Sequence, residues 1–227
     1  MTQILAHRAN LTGPDPVREN SHGATLAALA AGFGIETDLR RENGRFYIAH
    51  DASAWSGEND FARFDEAFRA HSGCAIALNV KELGYERDLV DLQASGALGA
   101  RSFLFDFELL EPEAPGRAQR LIRRLPGGDR ATLAARLSDR GESLAQCLSI
   151  PAEVVWLDEF DSPWISAREI EALHAAGRRL YAVSPELHGA DDTARLRRWA
   201  DFRAWGVEGV CTDYALAARD FFAASTP

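Results

Sequence analysis

Short apolar runs that each close on a polar or ionisable residue alternate along this chain with stretches of helical spacing. The runs at 4–7, 34–39, 75–80, 102–107, 131–137, 154–160, 179–183 and 209–212 read as buried parallel strands. A strand covered on both faces shows a continuous apolar stretch rather than an alternation. Helical spacing fills the intervals at 24–31, 61–71, 86–95, 115–124, 143–147, 166–176, 191–205 and 216–223. Ser166 with Glu169 predicts a capping box, and Gly177 predicts a C-terminal cap. The run 46–50 predicts an extra short strand inside the second connection. Strand–helix units repeated in this way predict an α/β fold, a (β/α)8 TIM barrel in one domain over 1–227. An open dinucleotide-binding sheet would need a glycine-rich loop after the first strand, and none follows it.

Composition narrows the classes. The 227 residues are 46% hydrophobic and 26% charged, as expected of a soluble globular protein. A net charge of −9 argues against a nucleic-acid surface, which needs a basic stripe. The arginine-rich pieces at 117–124 and 195–198 fall in helical patterns and read as solvated faces. No apolar run reaches membrane-span length, no secretory leader is visible, and the expected location is cytoplasmic. Cys74, Cys147 and Cys211 lack metal-ligand spacing, and their odd number argues against a disulfide framework. Cys74 and Cys211 read as buried thiols.

In a barrel every strand end opens on one mouth. There the sequence places His7-Arg8, Glu36 and Asp38, His50, Asn79 and Lys81, Asp106, Arg136 and Ser138, Asp158 and Glu159, Ser184 with Glu186 and His188, and Asp213. Glu36 and Asp38, two apart on a strand, point to one side and can share a hard cation. Arg8 suits a phosphate oxygen through its forked donors, and Lys81 suits one as a point charge. Two imidazoles, His7 and His50, titrate near working pH and suit proton transfer. His22 reads as a cap or surface residue, and His71 and His174 as residues remote from the mouth. His188 reads equally as a turn residue or a binding group. Trp55 and Trp164 are candidates for a substrate rim.

The order His7-Arg8, Glu19-Asn20, Glu36-Thr37-Asp38, His50-Asp51 resembles the glycerophosphodiester phosphodiesterase family, within the phosphatidylinositol-phospholipase-C-like superfamily. The likeness continues through Leu78-Asn79-Val80-Lys81 and Gly206-Val207-Glu208-Gly209-Val210-Cys211-Thr212-Asp213. It is nearest to a branch with His-Arg-x-Asn-x-x-Gly-Pro, Leu-Asn-x-Lys and Val-Ser-Pro-Glu-Leu-His-Gly motifs, the last standing here at 183–189. Two departures stand out. The loop 9–16 replaces a single glycine and a short link, and Asn79 stands where the family carries a glutamate. The resemblance implies a metal-dependent phosphodiesterase acting on a glycerol- or sugar-linked phosphodiester, with Mg2+ or Ca2+ as cofactor. His7 and His50 would be catalytic, with His50 preferred as acid and His7 as base. Arg8, Lys81 and Asn20 would bind substrate, and Glu36, Asp38, Asn79, Asp106 and Glu19 would form the metal site. A cyclising lyase, and a non-catalytic barrel that binds a phosphorylated glycan or lipid headgroup, remain alternatives.

Overall fold

The computed structural model describes residues 2–95, 98 and 101–224. Its strands are β1 (Gln3–His7), β2 (Gly34–Glu42), β3 (Arg45–Ile48), β4 (Ile76–Val80), β5 (Ser102–Phe105), β6 (Ala134–Ser138), β7 (Val154–Asp158), β8 (Arg179–Val183) and β9 (Gly209–Thr212). The helices are α1 (His22–Ala30), α2 (Phe61–Ala70), α3 (Glu86–Ala94), α4 (Phe107–Leu110), α5 (Arg117–Arg124), α6 (Leu144–Ser149), α7 (Ala167–Ala175), α8 (Asp192–Trp205) and α9 (Ala215–Ala223). All strands but β3 lie in the order β5-β4-β2-β1-β9-β8-β7-β6, and their pairings are parallel. A parallel bridge between Leu104 and Leu133 joins β5 to the approach of β6 and closes the circle. The architecture is the expected (β/α)8 barrel.

Side-chain caps fix the starts of several expected helices. Ser166 and Glu169 form the capping box ahead of α7, and Ser143 with Gln146 forms another ahead of α6. β2 runs past its expected end at residue 39 because β3 pairs with it antiparallel. Asn43 and Gly44 make that two-residue turn with φ of 47° and 83°, the left-handed pair a tight hairpin requires. β5 stops at Phe105, short of the expected 107, since Asp106 turns the chain with φ 71° and α4 starts at once.

Two layers of apolar residues hold the barrel. Ile35, Leu39, Ile76, Leu78, Leu104 and Leu180 face the helices. Leu5, Phe103, Phe105, Trp156, Tyr181 and Cys211 fill the interior, with Phe105 and Trp156 rings 4.1 Å apart. Gly209 makes room for this floor, since a Cβ there would fall 2.3 Å from the Tyr181 ring. The ionisable strand-end residues gather above this plug, at the mouth. Among the described residues, no helix is long and apolar enough to cross a membrane.

The solvated reading of the second arginine-rich piece is corrected. Arg195 and Arg198 are buried. Arg198 clasps both oxygens of Glu159 at 2.7 and 2.6 Å, and Arg195 lies 4.1 Å over the Tyr214 ring. A carboxylate at the end of β7 and aromatic faces nearby draw in groups that helical spacing alone leaves outside.

Glu108 on α4 gives a pH-dependent prediction. Burial pushes its carboxyl up to about 7, while Gln119 Nε2 donates to it at 2.7 Å. An unfolded glutamate ionises near 4.5, so the folded state loses stability as pH rises from there to about 7. At roughly 1.4 kcal/mol for each tenfold change in proton affinity, the loss approaches about 3 kcal/mol. Glu108→Gln is expected to match the wild type near pH 4.5 and to exceed it above pH 7. Urea melts at both pH values check this; equal stability at pH 8 would contradict it.

Candidate active site

β1 ends at His7, and the chain turns there in left-handed conformations that non-glycine residues seldom adopt. Arg8 and Ala9 have φ of 47° and 66°, and Asn20 and Asp106, also at the mouth, have 56° and 71°. Such strain costs of order 1–3 kcal/mol each and tends to cluster at functional sites. Here it lets the Arg8 backbone N–H donate to Glu36 Oε2 at 3.3 Å.

His7 Nδ1 pairs with Asp213 Oδ1 at 2.7 Å, and its Nε2 lies 3.9 Å from Glu36 Oε2. Burial alone would lower the imidazole, but the bond to Asp213 and the charge of Glu36 outweigh it and raise its pKa. For Asp213, burial is overcome by the same bond and by His7, and its pKa falls. The loop 9–16 clamps this carboxylate. Asn10 Nδ2 donates to Asp213 Oδ1 at 2.8 Å, and Gly13 N donates to the Asp213 carbonyl at 2.9 Å. An imidazole whose ring is fixed by a buried acid is the outcome.

Glu36, Asp38 and Asn79 are brought together by register, since Asp38 lies opposite Asn79 across β2 and β4. Lys81 Nζ sits 2.7 Å from Asp38 Oδ1, while Asn20 Nδ2 donates to Oδ2 at 2.7 Å and Arg8 Nε stands 3.1 Å from it. Burial opposes this charge, but Lys81 and Arg8 dominate and Asp38 stays ionised below its ordinary pKa. Glu36 is the opposite case: burial and the neighbouring Asp38 push it up to about 7. Its Oε1 and the Asn79 Oδ1 take no hydrogen bond among the described residues. Asn79 Nδ2 donates instead to Asp106 Oδ2 at 3.0 Å.

These donors are oxygens throughout, which suits a hard cation. Among the described residues no three His, Cys, Asp or Glu side chains form a ready-made metal cage. Mg2+ commonly takes one or two carboxylates and completes its shell with water and substrate phosphate. Glu36 fits that pattern with an oxygen left open, whereas Asp38 would share its oxygens between the ion and Lys81, Asn20 and Arg8.

Opposite them, Arg136 at the inward face of β6 is 1% exposed and neutralises several acids at once. It pairs with Asp106, with Asp158 at 2.7 Å and with Glu142 at 3.7 Å, under the Phe160 ring at 4.7 Å. Asp158 also holds His188 Nε2 at 2.6 Å. Burial raises the pKa of Asp106 even against Arg136.

His7, Arg8, Glu19, Glu36, His50, Asn79, Lys81, Asp106, Arg136, Asp158, His188 and Asp213 line one cavity of about 430 Å³. Asp38 and Asn20 lie beneath and beside it, their polar atoms committed to the contacts above. Glu19 meets Arg8 at 3.1 Å. His50 stands on the rim with its side chain 45% exposed, paired with the exposed Asp51 at 2.9 Å. The partnership of Asp213 with His7 escaped sequence reasoning, as did the Arg136 hub and the pairing of Asp158 with His188. Each of these residues lies in or shortly after a strand, so its place at the mouth was legible while its partner was not.

No family model matches this chain, and no curated protein does. Solved structures do. A candidate glycerophosphodiester phosphodiesterase from Galdieria sulphuraria superposes with TM-score 0.72 at 16% identity, over 99% of this chain and 98% of that one. A glycerophosphoryl diester phosphodiesterase from Parabacteroides distasonis gives 0.66 at 14% identity, over 97% and 86%. Phosphoribosyl anthranilate isomerase from Thermus thermophilus, another match, reaches 0.53 at 14% identity, over 98% and 97%. Over nearly its whole length, this chain has the barrel fold of the glycerophosphodiester phosphodiesterases.

Proposed function

We propose that this protein is a hydrolase that cleaves a glycerol- or sugar-linked phosphodiester at the barrel mouth. The observation that carries the reading is His7, fixed by Asp213, beside the Glu36–Asp38 pair with Arg8 and Lys81 around one cavity. The likeness to solved phosphodiesterases supports it. Glu36 and Asp38, with the Asn79 carbonyl, would hold Mg2+ or Ca2+, while Asp106 and Glu19 supply charge nearby. When bound, the cation would withdraw charge from a phosphate oxygen.

The chain's own residues do the rest. Arg8 and Lys81 orient the remaining phosphate oxygens, and Asn20 keeps Asp38 turned toward them. His7 Nε2 takes the proton of the attacking water or substrate hydroxyl, while Asp213 holds its ring and stabilises the imidazolium. The leaving alkoxide needs a proton in return, and two more imidazoles line the cavity, His50 and His188. His50 is the one the motif order offers as acid. A substrate hydroxyl as nucleophile gives a cyclic phosphate, and water gives a monoester.

Turnover of bis(p-nitrophenyl) phosphate with Mg2+, with Ca2+ and with chelator tests the reading. The expected result is cleavage that the chelator suppresses. Retained phosphodiester binding with no cleavage under any cation would favour the binding barrel instead.

A further inference from the structure

Two histidine–aspartate pairs face one cavity, and the proposed reaction has so far used only one. We propose that His188, held by Asp158, is the acid that protonates the leaving alkoxide; this rests on the phosphodiesterase reading.

The pair repeats the construction of His7 with Asp213. His188 Nε2 meets Asp158 Oδ1 at 2.6 Å, against 2.7 Å for His7 Nδ1 and Asp213 Oδ1. The side chains are 22% and 19% exposed, and both line the cavity. Arg136 holds the other Asp158 oxygen at 2.7 Å, which fixes the carboxylate. Phe160 stacks on the imidazole with ring centres 4.4 Å apart. His188 Nδ1 takes no hydrogen bond among the described residues. One nitrogen is therefore anchored to an acid and the other is left for a proton in transit.

The turn carrying the ring is tied to the first pair. Pro185–His188 is a single 3-10 turn, closed by Gly189 with φ 86°. Its Glu186 accepts from the hydroxyls of Ser184 and Thr212 and from the Asp213 backbone N–H at 3.3 Å. The residue that orients His7 and the turn that presents His188 thus share one bracket. A surface turn has no need of three donors on one carboxylate. His50 lacks comparable support: its side chain is 45% exposed, and its partner Asp51 is 94% exposed.

The proton accounting closes. An oxygen of water or of a substrate hydroxyl bonds to phosphorus and gives its proton to His7 Nε2. The bond from phosphorus to the leaving oxygen breaks, its electron pair stays on that oxygen, and the proton on His188 Nδ1 joins it.

Leaving-group dependence tests the assignment. p-Nitrophenolate departs without protonation, whereas a glycerol alkoxide does not. His188→Ala is expected to lower turnover about 10²–10⁴-fold on a glycerol-linked dialkyl phosphodiester and less than about 10-fold on a p-nitrophenyl phosphodiester. His188→Gln places an amide where Nε2 stood and keeps a hydrogen bond for Asp158, but carries no titratable proton, and gives the same readout should the alanine variant fold poorly. His50→Ala is expected to show no such dependence on the leaving group. Equal losses for the His188 variants on both substrates, no loss on either, or leaving-group dependence confined to His50→Ala would overturn the assignment. A wild type inactive on both substrates would overturn the phosphodiesterase reading itself.

Discussion

Replacing His7 by alanine is expected to lower phosphodiester turnover about 10²–10⁴-fold, the usual worth of a positioned general base, with the fold intact. The ring ends β1 above the apolar floor and contacts polar groups, Asp213 and Glu36, rather than the interior layer. Its removal therefore opens no cavity in the packed core. Asp213→Asn should approach the same loss, because an amide in place of the carboxylate no longer fixes the ring or stabilises its charged form. Asn10→Ala should cost less, since the Gly13 N–H still holds the Asp213 backbone. Steady-state rates set beside thermal melts separate the outcomes. Activity retained with a lowered melting temperature would make His7 a packing residue.

Arg136→Met is expected to give the largest loss of stability, about 3–5 kcal/mol, as found when one partner of a buried ion pair is removed. The substitution keeps much of the volume but leaves Asp106, Asp158 and Glu142 facing one another without a shared cation. Those carboxyls would then hold protons in the folded state above the range where they ionise in the unfolded chain. By linkage the deficit should grow as pH rises and shrink as it falls. Adding Asp106→Asn and Asp158→Asn should recover much of the loss, because the repulsion goes with the charges. Urea unfolding at pH 5 and pH 8 measures both effects. A single variant as stable as the wild type at pH 8 would show that the hub contributes nothing.

The barrel was legible in the sequence because a parallel strand covered on both faces has to be apolar along its length and polar at its end. The runs closing on His7, Asn79 and Asp158 show this directly. Glu36 and Asp38 share a face by strand geometry alone. Pairings across the mouth were not legible. His7 and Asp213 lie 206 positions apart, and only barrel closure makes β9 the neighbour of β1. Arg136 sits inside β6 near its end like any strand-end cation, and its several acids come from the turn after β5, from β7 and from the loop after β6. The burial of Arg195 and Arg198 depends likewise on Glu159 and on aromatic residues from other elements. Strand ends also carried left-handed residues such as Asp106, which shorten a strand without any change in its apolar pattern. Local pattern places residues on the rim; tertiary closure chooses their partners.

Phosphorus NMR decides whether this barrel mouth cleaves phosphodiesters through His7. A glycerol-linked phosphodiester is incubated with wild-type protein and with His7→Ala, Mg2+ or Ca2+ present. The diester resonance should give way to a monoester or cyclic phosphate with wild type and persist with the variant. An unchanged diester in both samples, or equal conversion in both, would refute that role.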